Sequence, residues 1–177
     1  AHDIQQIGEG VGAVKAILQR GGLVDGFRQL QQEGRVRFIG VSGRLSEVSA
    51  VVHTGKFDVV LTDVPCSGTG TWRRNPDMRW TTYGPSLEEL VEIQGEILEK
   101  VAGLVKPGGK LVYATCSLLQ EENEHRVEAF LEAHPEFEVQ PCPEELGNPY
   151  MRLTPHRHAT DGFFAAILKR KEDEGEA

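Results

Sequence analysis

Three runs of the chain are apolar, β-branched or aromatic and too short for a helix. They are Val36-Arg-Phe-Ile-Gly-Val41, Phe57-Asp-Val-Val-Leu-Thr62 and Lys110-Leu-Val-Tyr-Ala-Thr115, and they predict strands. Elsewhere the apolar positions recur at helical spacing. Leu23, Phe27 and Leu30 share a face over residues 23–33, and Leu45, Val48 and Val51/Val52 share one over 44–53. The longest stripe (Leu87, Leu90, Val91, Ile97, Leu98, Val101, Leu104/Val105) predicts a helix over 86–105. Ser86-x-x-Glu89 opens it as a capping box, and Pro107-Gly108-Gly109 stops it. A further helix is predicted over 120–133, ended by His134-Pro135.

Alternating strands and helices imply parallel strands joined by crossovers. The pattern then changes. Phe137–Gln140 and Phe163–Lys169 read as strands with only a Pro-rich loop between them, an antiparallel pair at one edge. The predicted fold class is therefore α/β: a Rossmann-like, mainly parallel sheet flanked by helices, with an antiparallel C-terminal edge. One domain is expected over 1–177, with a charged tail at 172–177. Nearer the start, His2–Ile7 suits a strand, Gly8-Glu-Gly-Val-Gly12 a loop and Ala13–Arg20 a helix.

Composition narrows the class. With 177 residues, 39% hydrophobic and 26% charged, the chain is neither collagen-like nor disordered throughout. It holds no apolar run long enough for a membrane span. The opening Ala1-His2-Asp3-Ile4 lacks the order of a signal peptide, and without Met it suggests a fragment or a processed product. Three cysteines are too few for a disulfide framework, so a reducing, cytoplasmic setting is expected. The net charge is −8, yet residues 1–56 carry seven basic against five acidic groups. An acidic chain binds nucleic acid only through a local basic patch.

The chemistry gathers at two strand ends. Asp63-Val-Pro-Cys-Ser-Gly-Thr-Gly70 follows one predicted strand, and Thr115-Cys116-Ser117 ends the next. Successive parallel strands deliver their C-terminal loops to one rim, so Asp63, Cys66 and Cys116 are expected to converge. Two thiols and a carboxylate there suit covalent catalysis; the bland alternative is two small buried hydrophobes. Trp72, Arg73, Arg74, Arg79 and Trp80 form a basic-aromatic cluster beside the first loop, able to stack a base and hold phosphates, or else to pack the loop with its arginines in water. The histidines match no zinc spacing, so no metal is expected.

From Phe57 to about Lys171 the chain resembles the C-terminal part of the catalytic domain of the RNA cytosine-C5 methyltransferases, the Nop2/Sun family that includes the bacterial 16S ribosomal RNA enzyme. The likeness runs through Asp63-x-Pro-Cys-Ser-Gly-Thr-Gly-Thr-Trp72, Arg73-Arg-Asn-Pro-Asp77, Val105-Lys-Pro-Gly-Gly109, Tyr113-Ala-Thr-Cys-Ser117, Glu121-Glu-Asn123 and Thr160-Asp-Gly-Phe-Phe164. It implies that Cys116 attacks C6 of a cytosine, that Asp63 bonds the ring near N3 and its amino group, and that Cys66 helps remove the C5 proton or release the enzyme. It implies S-adenosylmethionine as methyl donor, with Asp63 and Pro65 beside it, and RNA as partner.

Residues 1–56 lack that family's cofactor strands. They resemble instead a piece of an aldo/keto reductase barrel, through Gly21-Gly-Leu-Val-Asp-Gly-Phe-Arg-Gln-Leu-Gln-Gln-Glu-Gly-Arg-Val-Arg-Phe-Ile-Gly-Val-Ser42. A chimera is thus expected, with the cofactor half replaced and activity impaired. Gly8 and Gly10, in a loose G-x-G-x-x-A pattern, are the candidate cofactor glycines, or simply a flexible loop. The other reading is a non-catalytic folded module that assembles with itself through an open sheet edge.

Overall fold

The computed structural model describes residues 18–37, 59–79 and 84–172. The predicted strand at 2–7, the glycine loop at 8–12 and the helix at 44–53 lie outside the described residues, as do Trp80 and the end of the charged tail. The chain divides into two compact units, Ala1–Asp58 and Val59–Ala177.

In the first unit, helix α1 spans Leu23–Gln32 and buries Val24. The carboxylate of Asp25 accepts the Gly21 N–H at 2.8 Å, placing an acid in the first turn where the helix dipole favours it. Val36 and Arg37, read as the start of a strand, are irregular.

In the second unit, β1 (Val59–Asp63) pairs in parallel with β2 (Lys110–Thr115), in register from Val59 opposite Lys110 to Asp63 opposite Ala114. Helix α2 (Leu87–Ala102) connects them. Its capping box closes both ways: Glu89 N–H donates to Ser86 Oγ at 3.2 Å, and Ser86 N–H donates to Glu89 Oε2 at 2.7 Å. The helix ends on Gly103, ahead of the predicted stop at Pro107, and Leu104 and Val105 enter the core from a turn. The helix predicted over 120–133 is broken. A 3₁₀ turn at Gln120–Glu122 precedes helix α3 (Glu124–Ala133), because Asn123 leaves helical geometry while its side chain bonds elsewhere.

The last strands complete the sheet. β3 (Phe137–Val139), β4 (Met151–Leu153) and β5 (Phe163–Arg170) follow, with a one-turn helix α4 (Pro155–His158) before β5. β5 is antiparallel to β2 on one side and to β3 and β4 on the other. All the other strands therefore share one direction and β5 alone is reversed, inside the sheet. The sheet is Rossmann-like, flanked by helices, and the expected antiparallel pair is β3–β5. The short β4 falls in the stretch read as loop; it resumes the line of β3 after the 140–150 excursion.

The core follows the period-two alternation of β2 and β5. Leu111, Tyr113 and Thr115 point into it opposite Leu168, Ala166 and Phe164. The bulk of Tyr113 faces the small Ala166, and its ring meets Phe164 edge-on at 6.4 Å. Leu90, Leu98 and Val101 of α2 and Val127 and Phe130 of α3 are also buried.

Candidate active site

Parallel pairing of β1 and β2 sends the 64–74 and 116–122 loops to the same rim. Cys66 Sγ and Cys116 Sγ lie 3.4 Å apart, both half-buried. Burial above all, together with contact with Cys116, pushes the Cys66 thiol up to about 12, with the Gly68 backbone hydrogen bond partly opposing the rise. Cys66 thus stays a thiol at neutral pH, with Cys116 sulfur as its neighbour.

The loops are locked by backbone contacts. Gly70 N–H donates to the Cys116 carbonyl at 2.9 Å, and Gly70 O accepts the Gly162 N–H at 2.8 Å. A Cβ at position 70 would sit 2.3 Å from Gly162 O and 2.8 Å from Cys116 O, so only glycine permits this approach. Gly68, at φ +66°, makes the preceding turn. Thr69 Oγ1 accepts the Leu118 N–H at 2.8 Å and lies 3.1 Å from Ser117 Oγ. Thr115 Oγ1 donates to Asn123 Oδ1 at 2.6 Å, and Asn123 Nδ2 donates to the Ser117 carbonyl at 3.0 Å.

Beside Cys66 opens a cavity of about 490 Å³, lined among others by Trp72, Met78, Arg79, Pro85, Leu87 and Leu119. Asp63 ends β1 opposite Ala114, exposed, and does not line that cavity. Pro65 is exposed, and its carbonyl accepts from Gln94 Nε2 at 2.9 Å. Arg73, Arg74 and Arg79 are all exposed. Arg74 is already engaged, with Nε and Nη2 at 3.0 and 2.9 Å from Asp161 Oδ2. Gly8 and Gly10 lie outside the described residues. Among the described residues no cluster of His, Cys, Asp or Glu is arranged to hold a metal, and no helix is long and apolar enough to cross a membrane.

Sequence reasoning passed over Gln94, Ser67 and Ser117, and gave no role to Glu122. Gln94 had a signal: it is polar, yet four residues from both Leu90 and Leu98 on the apolar face of α2, and it is fully buried.

The described unit is a mixed, mostly co-directional sheet with two thiols in contact at adjacent strand ends. Fold and site define an α/β domain of Rossmann-like type that carries a cysteine pair on the rim of its parallel strands. The family described as 16S rRNA methyltransferase RsmB/F matches residues 11–169, and the chain belongs to it. It is 43% identical over 119 residues to the ribosomal RNA small subunit methyltransferase B of Yersinia pseudotuberculosis serotype O:1b, and equally to that of Yersinia pestis. The match takes in 66% of this chain but 27% of those proteins, so the chain spans about a quarter of their length. Two solved structures are similar. The crystal structure of PH0851 has a TM-score of 0.64 at 37% identity, over 83% of this chain and 35% of that one. A methyltransferase homolog protein from Pyrococcus horikoshii has a TM-score of 0.52 at 32% identity, over 83% and 51%.

The family match corrects one expectation. It begins at residue 11 and spans most of the stretch likened to a reductase barrel, so the chimera is unsupported. A helix followed by an apolar run is common to all parallel α/β folds, and one such unit does not discriminate between them.

Proposed function

We propose that this chain carries the sulfur-bearing side of an S-adenosylmethionine-dependent rRNA cytosine-C5 methyltransferase, acting in a reducing cytoplasm. The observation that carries the proposal is the 3.4 Å contact of Cys66 and Cys116 at neighbouring parallel strand ends. Cytosine C5 is a poor nucleophile until a group adds at C6. Cys116 supplies that group as a thiolate, forming an S–C6 bond. The two oxygens of Asp63 serve the amino group and the N3 side of the ring. After methylation the C5 proton must leave and the S–C6 bond must break. Cys66, a thiol at neutral pH, hands its proton to the departing Cys116 sulfur. The thiolate so formed is basic enough to take the C5 proton, and both thiols are restored.

S-adenosylmethionine supplies an electrophilic methyl group when bound. One flank for it fits among the described residues: the exposed carboxylate of Asp63, an acceptor for an ammonium, followed closely by the apolar ring of Pro65. Trp72 offers a face for a base, and Arg73 and Arg79 offer charge for phosphates. A reacting base must leave its stack to reach the sulfurs, and the cavity beside Cys66 offers room for a neighbouring nucleotide.

The test pairs two measurements on the whole chain. RNA bearing 5-fluorocytidine is expected to give a denaturation-resistant RNA–protein band, absent in Cys116→Ser and persistent in Cys66→Ser. A band that survives Cys116→Ser refutes Cys116 as nucleophile. Calorimetric titration with S-adenosylmethionine should show saturable heat. None at millimolar ligand refutes methyl transfer by this chain and leaves a non-catalytic module.

A further inference from the structure

Beneath the two sulfurs lies a carboxylate that the chemistry above does not use. Glu122 is fully buried in the 120–122 turn. Its Oε2 accepts from the hydroxyls of Ser67 and Ser117, each at 2.5 Å. Its Oε1 accepts from the Ser67 N–H at 2.8 Å and from Gln94 Nε2 at 3.0 Å. Ser67 follows Cys66, and Ser117 follows Cys116. The carboxylate therefore grips, in each loop, the residue next to the sulfur. Its own backbone is fixed as well, because the Tyr113 hydroxyl donates to the Glu122 carbonyl at 2.6 Å.

Burying a carboxylate is costly, and an apolar side chain could fill the same space without that cost. What the carboxylate adds is direction. Four donors from three segments meet two oxygens, an acceptor-only group among donors. With both hydroxyl protons spent on Oε2, the 3.2 Å contact of Ser67 Oγ and Ser117 Oγ follows from the clamp and is not its cause.

We propose that Glu122 is a positioning residue: through Ser67 and Ser117 its carboxylate holds the Cys66 and Cys116 sulfurs in contact, so that both can act on one substrate ring. This rests on the reading of the two cysteines as the acting pair and deepens it. Without the carboxylate, Gly70 N–H still anchors the Cys116 carbonyl, β1 still pairs with β2 and Thr69 Oγ1 still meets Ser117 Oγ, but what remains between Ser67 and Ser117 is their 3.2 Å hydroxyl contact alone.

Phenylarsine oxide tests this without RNA. Trivalent arsenic bridges two thiols at contact distance: two As–S bonds form, and the oxygen leaves as water with both thiol protons. The experiment uses the full chain carrying Cys142→Ser, at a temperature where far-ultraviolet dichroism shows each variant folded. Glu122→Ala is expected to weaken bridging about tenfold, through lost effective concentration of one thiol near the other. Ser67→Ala combined with Ser117→Ala, which keeps the carboxylate, should weaken it several-fold. Glu122→Gln, retaining one acceptor oxygen, should restore part of the loss. Should Glu122→Ala fail to fold, the double serine variant decides. A purely stabilising role lowers the melting temperature and leaves bridging alone, so bridging within about twofold of the parent in a folded variant overturns the proposal. The two readings fail separately. Strong bridging lost in the variants, with no adduct on fluorinated RNA, sinks methyl transfer and keeps the clamp. A normal adduct with unchanged bridging sinks the clamp alone.

Discussion

A thiol held at about 12 is a reserve of protons rather than a nucleophile at neutral pH. Cys66 owes this first to burial and then to Cys116 beside it. At pH 8 its alkylation by iodoacetamide should run about a thousandfold slower than that of an ordinary thiol, because the thiolate fraction falls tenfold per pH unit of displacement. Peptide mass analysis across pH 7 to 11 measures this, and a midpoint near 9 would contradict it. The same displacement reaches stability. Between about 9 and 12 the folded chain keeps a proton at Cys66 that the unfolded chain has released. The contribution is whole below pH 9 and is lost as pH rises toward 12. Tyr113, likewise raised by burial, works in the same direction at the alkaline end. Cys66→Ser should therefore flatten the alkaline fall of urea-unfolding free energy, and an unchanged slope would count against the assignment.

At the scale of elements, glycines separate structure that tolerates a side chain from structure that does not. A Cβ at Gly70 would meet two backbone carbonyls, whereas one at Gly95, inside α2, would meet only Arg126 Nη1 at 3.6 Å. Gly70→Ala should cost about 3 kcal/mol and abolish adduct formation. Gly95→Ala should gain about 0.5–1 kcal/mol as a better helix former. Urea melts of the two variants give both signs. The contrast also marks what the sequence made legible. The α2 cap and stripe and the shared rim of the two cysteine loops follow from local pattern and parallel topology. The break at Asn123 has no local cause: neither Pro nor Gly stands there, and the turn is set by bonds to Ser117 and Thr115. β4 was unreadable for a like reason, since three residues become a strand only because β5 offers them an edge. The Glu122 clamp was half visible, in the Glu121-Glu-Asn123 motif five residues from Ser117, but its other donors come from Ser67 and Gln94, 55 and 28 residues away.

For the whole molecule, charge and edge matter most. Among the described residues β1 is paired on one side only, and Val59 and Leu61 on one of its faces are 45% and 66% exposed. Two exposed apolar side chains side by side on one strand face invite a partner surface. Self-association is therefore expected: the sedimentation mass should rise above 19.5 kDa with concentration. Leu61→Lys should hold the chain monomeric, and a mass independent of concentration in the parent would end this expectation.

The reversal of β5 has a consequence in time. Gly162, which closes on Gly70, and the strand that flanks β2 both lie far downstream of Cys116. During translation the two sulfurs emerge from the ribosome well before the segment that seals their loops together. A nascent polypeptide halted short of Gly162 carries both cysteines, Glu122 and the residues that line the cavity, but neither the Gly162–Gly70 bond nor the strand that flanks β2, so the loops are sealed only as that late ribbon takes its place between its neighbours.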